Sequence, residues 1–344
     1  MAPAPWRQRI SAAKADAIAA AASWLWDQSK GSAAGRRAAL EALGRWPGEA
    51  GLISRQLDIA AMAAAGAAAR RLSLGDPGGP GTIEALRKRG AAPLAIIGDS
   101  HSRLYVQRGA DGGRWLAPFH YLATGASARG LSNPDSRSGQ GDEVRRFVAR
   151  LSSLAEPTPT LFVFGQVDVE FVFTFKRLET SPAAAFDPVT FDRFCEETAG
   201  RYAEFVARLG MPPGLATLAG VFPPALSDAA WRAGYVNAHI AAEEGVPLDR
   251  LVDLLARATI PDLVARTHQH RLFNRHLATA AAERGLAYAE VFEPLLNPRG
   301  VIDAAYLGAA AGLDHHLDAS AIRRRIVPLL WGLVSNRRHD PQPS

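Results

Sequence analysis

From Pro93 onward, short unbroken apolar runs alternate with longer amphipathic segments. Pro93-Leu94-Ala95-Ile96-Ile97, Trp115 to Leu122, Thr160-Leu161-Phe162-Val163-Phe164, Leu215 to Val221 and Leu286 to Phe292 are short, and turn residues punctuate them. Each predicts a buried strand. Between them, apolar residues fall at helical spacing, as in Val144, Phe147, Val148 and Leu151, predicting helices over about 142–154, 187–209, 262–284 and 320–334. Strands alternating with helices predict a parallel sheet covered on both faces. The stretch from Val169 to Pro188 fits neither pattern and reads as a lid or a packing insertion.

Residues 1–73 have a different texture. Ala is dense, Pro is absent between Pro5 and Pro47, and Ala17, Ile18, Ala21, Leu25 and Trp26 share one helical face. Three helices fit, about 11–28, 34–45 and 51–72, punctuated by Gly31, Gly44 and Pro47-Gly48. With no second copy at a fixed period, the region reads as a helical cap, not a solenoid. Gly75-Asp76-Pro77-Gly78-Gly79-Pro80-Gly81 reads as a linker, followed by a short helix from Ile83 to Arg89. The chain thus divides into a helical region (1–73), a linker with its short helix (74–92), an α/β domain (93–335) and a polar tail (336–344).

Composition narrows the function classes. A hydrophobic fraction of 48% and a charged fraction of 21% suit a globular chain with a sizeable core. The net charge of +5 is scattered, without an aromatic-interleaved basic patch, so nucleic acid is not implied. The single cysteine, Cys195, excludes an intrachain disulfide. No uninterrupted apolar stretch reaches the length of a membrane span, and the start of the chain lacks a secretory pattern; a cytoplasmic location is the expectation.

The chemistry gathers at the predicted strand ends, where open α/β sheets bind ligands. Gly98-Asp99-Ser100-His101-Ser102 follows the first strand, Thr124-Gly125-Ala126 the second, and Gly165-Gln166-Val167-Asp168 the third. Asp314-His315-His316 lies in the loop after the last strand. A serine, a histidine and an aspartate at one edge can perform nucleophilic acyl transfer, His taking the serine proton and Asp orienting the His.

In that order, these four blocks resemble the SGNH (GDSL-like) hydrolases, from about Pro93 to Val334. The resemblance implies a three-layer α/β/α sandwich on a five-stranded parallel sheet, flavodoxin-like in outline. It implies Ser100 as nucleophile, His316 as general base with His315 as the alternative, and Asp314 as the orienting acid. The N–H groups of Ser100 and Gly125 would hold the oxyanion. The stretch from Gly125 to Arg137 and the Gly-x-Val-Asp third block look closest to a bacterial branch linked to glycan-modification genes. The implied reaction is hydrolysis of a small acyl ester, such as an O-acetyl group on a carbohydrate, with no cofactor and no metal. Asp99, His101, Arg103, Asn133, Ser136, Arg137 and Asp168 are candidates for lining the substrate site, and the N-terminal helices for meeting a protein partner.

Two departures from the family pattern matter. The third-block Asn, a side-chain oxyanion donor, is Val167 here, a loss of about 2.7–4 kcal/mol of transition-state stabilisation unless Gln166 substitutes. Asp314 stands two residues before His316, not three. Three other readings compete with ester hydrolysis: acyl transfer to a sugar hydroxyl through the same serine, a degenerate domain that only binds a glycan or partner, and a metallophosphoesterase. For the last, Asp99-x-His101 and Asp314-His315-His316 resemble metal-binding motifs, but the further Asp, His and Asn blocks of a two-metal site are missing. His268 and His270, two apart on a helix, face different ways.

Overall fold

A computed structural model describes residues 62, 65–76, 78–88, 90–111, 114–123, 126–136, 138–180, 186–232, 261–308 and 311–335. The expected helices 11–28 and 34–45, most of 51–72 and the tail lie outside these residues, as do Thr124, Gly125 and Arg137.

Among the described residues, six strands form one sheet: β1 (Ala91–Gly98), β2 (Ala110–Asp111), β3 (Arg114–Leu122), β4 (Thr160–Val163), β5 (Ala216–Ala219) and β6 (Ala287–Ala289). The order across the sheet is β2-β3-β1-β4-β5-β6. The five longer strands are all parallel, and only the two-residue β2 runs antiparallel, against β3. Numbering the parallel strands alone gives 2-1-3-4-5, a doubly wound order whose direction reverses at β1. All five expected strands are present; β2 is the addition.

Because side chains alternate across a strand, β1 feeds two separate cores. Ala91, Ala95 and Ile97 pack into one and Ala92, Leu94 and Ile96 into the other. Burial on both faces explains why these strands read as continuous apolar runs. The first core is closed by α1 (Gly79–Lys88), α2 (Ala128–Leu131), α3 (Gln140–Ser152), α5 (Pro188–Ala207) and α7 (Leu263–Glu283). Its contributors include Phe147, Phe191, Tyr202 and Phe273. The second core is closed by a 3₁₀ helix (Ser100–Tyr105), which supplies Leu104 and Tyr105, and by α8 (Ala319–Ser335), which supplies Ile322, Ile326, Leu330 and Val334. Helices on both faces of a parallel sheet make an α/β arrangement compatible with a three-layer sandwich.

The helix boundaries follow local chemistry. Asp187 and Asp262 cap α5 and α7 by accepting from the N–H groups of Val189 and Ala265. The helix expected from Ile83 starts earlier, at Gly79, because proline at its second position costs nothing in a first turn. Residues 65–74 are helical, and Ala65, Ala68, Ala69 and Leu72 share the first core with Ile83 and Leu86. The stretch from Val169 also resolves. A π-helical turn (Asp168–Val172) leads into α4 (Phe173–Thr180), and α6 (Asp228–Arg232) follows β5. No helix among the described residues is long and apolar enough to cross a membrane.

Candidate active site

The site forms where β1 ends, at the reversal of strand order. Gly98 lies so close to β4 that a Cβ there would strike the Val163 carbonyl oxygen and come within 2.7 Å of Ser102 Cβ. Only glycine lets the chain turn there. Asp99 then caps the 3₁₀ helix with its side chain, and Ser100 opens it. The Ser100 N–H is therefore a first-turn donor that helical bonding does not use.

Ser100 Oγ stands 2.9 Å from His316 Nε2. His316 Nδ1 stands 3.0 Å from Asp314 Oδ1, which also accepts the His316 backbone N–H at 3.0 Å. The two-residue spacing is thus suited to the contact, because one carboxylate oxygen serves both the ring and the backbone of the same residue. It is His316, not His315, that reaches the serine. His315 packs on His316 with ring centroids 3.8 Å apart and meets Phe171 edge-on.

Electrostatics prepare the pair. Burial, aided by the charge of His101, lowers the His316 pKa, although Asp314 opposes the shift. His316 is therefore neutral near pH 7, with Nε2 able to accept a proton. Asp314 is held below the ordinary carboxylate range because bonds from the His316 backbone and ring outweigh its partial burial. Beside them, a cleft of about 320 Å³ is lined by Leu307, Gly308, Gly312, Asp314 and His316 among others, a volume suited to a small ligand.

Other expected site residues occupy different places. Gln166 is buried, and both amide hydrogens are engaged: Nε2 donates to Glu170 Oε1 at 2.8 Å and to the Phe222 carbonyl at 3.2 Å, while Oε1 accepts from Phe222 N. That corrects the expectation of an oxyanion donor, since the amide is spent joining the π-helical turn to the strand after β5. Asp168, expected to line the substrate site, is fully buried and accepts the N–H groups of Ala128 and Arg129, fixing the start of α2. Burial raises its carboxyl to about 6 despite those bonds. Asp99 and His101 are likewise buried beneath the site, joined by a 3.0 Å contact, and do not face a substrate. The exposed Asn133 accepts from Asp135 N, and Ser136 bonds Ser138. Arg103 is exposed.

The sequence did not signal the polar groups under the site. Burial raises the Glu170 carboxyl to about 7, offset in part by His101 and Gln166. Burial lowers His270 to about 3, and its Nδ1 bonds the Phe222 carbonyl at 2.7 Å. For His101, burial alone would lower the pKa, but the charge of Asp99, its hydrogen bond and the charges of Glu170 and Asp314 raise it. His268 is exposed while His270 is buried, as their spacing on α7 requires. Cys195 is buried, and burial pushes its thiol up, so it is no nucleophile.

No protein-family model, no curated protein and no solved structure matches this chain.

Proposed function

We propose that the protein is a serine-dependent ester hydrolase acting on a small acyl ester, an O-acetyl group on a carbohydrate being the leading substrate class. The observation that carries this reading is the continuous relay from Ser100 Oγ through His316 to Asp314 at 2.9 and 3.0 Å. Its place at the carboxyl end of a central strand, beside a small cleft, supports it.

In this mechanism His316 Nε2 accepts the hydroxyl proton as Ser100 Oγ attacks the ester carbonyl. The imidazolium is stabilised by Asp314 and returns the proton to the departing alcohol. Water, activated by the same nitrogen, then releases the acid from Ser100. The Ser100 N–H is the oxyanion donor within the described residues, with Gly125 the expected second. Gln166 has no part in the step. Acyl transfer shares every stage but the last, in which a sugar hydroxyl takes the place of water.

The test is labelling by a fluorophosphonate probe. The folded protein should label stoichiometrically, with labelling abolished in Ser100→Ala and reduced at least about 100-fold in His316→Ala. Equal labelling of the parent and Ser100→Ala would refute the assignment.

A further inference from the structure

Two Asp-x-His units meet at this site. In Asp99-Ser100-His101, Asp99 Oδ1 accepts the backbone N–H of His101 at 2.8 Å and contacts its ring Nδ1 at 3.0 Å. In Asp314-His315-His316, Asp314 Oδ1 makes the same pair of contacts to His316, both at 3.0 Å. Each carboxylate thereby selects the Nδ1–H tautomer of the neutral ring and leaves the Nε2 lone pair on the side away from it. This is how carboxylates orient imidazoles that bind metals. The His101 and His316 ring centroids are 4.7 Å apart, and His315 lies 5.1 Å and 3.8 Å from them. One ring nitrogen of each of the three lies within 4.8 Å of those of the other two. His101 Nε2 is buried and has no hydrogen-bond partner among the described residues, a costly state for a polar atom.

We propose that His101, His315 and His316 form a three-imidazole site for a divalent transition-metal ion of the zinc class, and that its occupancy switches the serine off. Three borderline nitrogen donors favour zinc, copper or nickel over magnesium or calcium. Metal–nitrogen bonds of about 2.0–2.1 Å in tetrahedral geometry place the donors about 3.3–3.4 Å apart. The loop bearing His315 and His316 therefore closes on His101, which is held by Asp99 against the end of β1. The inhibition follows from valence: His316 Nε2 has one lone pair in the ring plane, and it cannot bind a metal while accepting the Ser100 proton. The switch rests on the serine reading; the metal site does not.

The full chain, freed of metal by chelator, is titrated with cobalt(II) and followed by visible absorption, then by zinc competition. The expected result is one saturable equivalent with the strong bands of four- or five-coordinate cobalt. Binding should weaken at least tenfold in His101→Ala and, since that side chain is buried, also in the less buried His315→Asn, with circular dichroism confirming the fold of each. Fluorophosphonate labelling of Ser100 should fall at least tenfold at one equivalent of zinc and return with chelator. Absence of the cobalt bands, or binding that neither substitution weakens, overturns the site. Labelling unchanged or increased by bound zinc overturns the switch. Cobalt binding in a metal-free protein that never labels refutes the serine reading and leaves the metal site standing.

Discussion

At the scale of single residues, the site depends on one atom serving two bonds. Asp314 Oδ1 holds both the backbone and the ring of His316. Asp314→Asn keeps the shape but offers either an N–H that cannot accept from Nδ1 or a neutral oxygen that stabilises the imidazolium poorly. The expected outcome is a fall in fluorophosphonate reactivity of about 10²–10⁴-fold with little change in thermal midpoint, read from labelling rates and melting curves. Gly98 is a second single-atom constraint. Gly98→Ala drives a methyl group into the backbone of β4, a clash that side-chain rotation cannot relieve. It should cost about 1–3 kcal/mol in urea unfolding and reduce labelling as well, because Ser100 is two residues away. A cost below about 0.5 kcal/mol would show that β1 and β4 separate easily.

At the scale of elements, β3 carries a pH signature. His120 Nε2 lies 2.7 Å from Ser102 Oγ, and burial, with the charge of Arg103, lowers its pKa from 6.5 to about 4. Between those values the unfolded chain binds a proton that the folded chain refuses. Stability therefore falls as pH drops through that window, by at most about 1.4 kcal/mol per pH unit from this group. Asp168, raised by burial to about 6, acts with opposite sign over part of the range. The test is a difference: His120→Gln should lose less stability than the parent between pH 7 and pH 5, measured by urea melts at both. The same scale shows what could be read from the sequence. The helices expected at 142–154, 187–209, 262–284 and 320–334 occur as Gln140–Ser152, Pro188–Ala207, Leu263–Glu283 and Ala319–Ser335. The first two and the last have apolar stripes, α5 and α7 have capping aspartates, and α7 buries Arg266, Thr267, His270 and Asn274 beside Phe273 and Leu277. The π-helical turn was not legible. Val167, Val169, Phe171, Phe173 and Phe175 alternate at a period of two, yet the intervening Asp168 and Glu170 are buried with partners of their own. The alternation imitates a strand, and the burial of polar residues between the apolar ones hides the helical turn. β2 was missed because two residues carry no pattern. Ser100, His316 and Asp314 stood out as residue types flanking strands. The buried roles of Gln166, His270 and Glu170 did not, since pairing beneath the site leaves no pattern along the chain.

At the scale of the whole molecule, the described residues before the linker pack into the first core of the α/β domain. Leu72 is buried in the same core as Ile83, Phe147 and Val148. Leu72→Ala should therefore cost about 2–5 kcal/mol of cooperative unfolding, as for any core leucine, and shift a single transition. A separate early transition, with the main one unmoved, would instead mark a detachable helix. The asymmetry of the two cores matters too: the face beneath Ser100 is closed by α8 and the 3₁₀ helix that Ser100 itself begins.

Ser100 and His316, the proposed nucleophile and base, are 216 positions apart in the chain. During synthesis the ribosome releases Ser100 long before it has made His316. A nascent chain carries a serine with no means of losing its proton, and the hydroxyl is armed only when the loop after β6 has emerged and folded back across the sheet. On the proposed mechanism the serine thus stays chemically silent until the fold is complete, and truncated products inherit that silence.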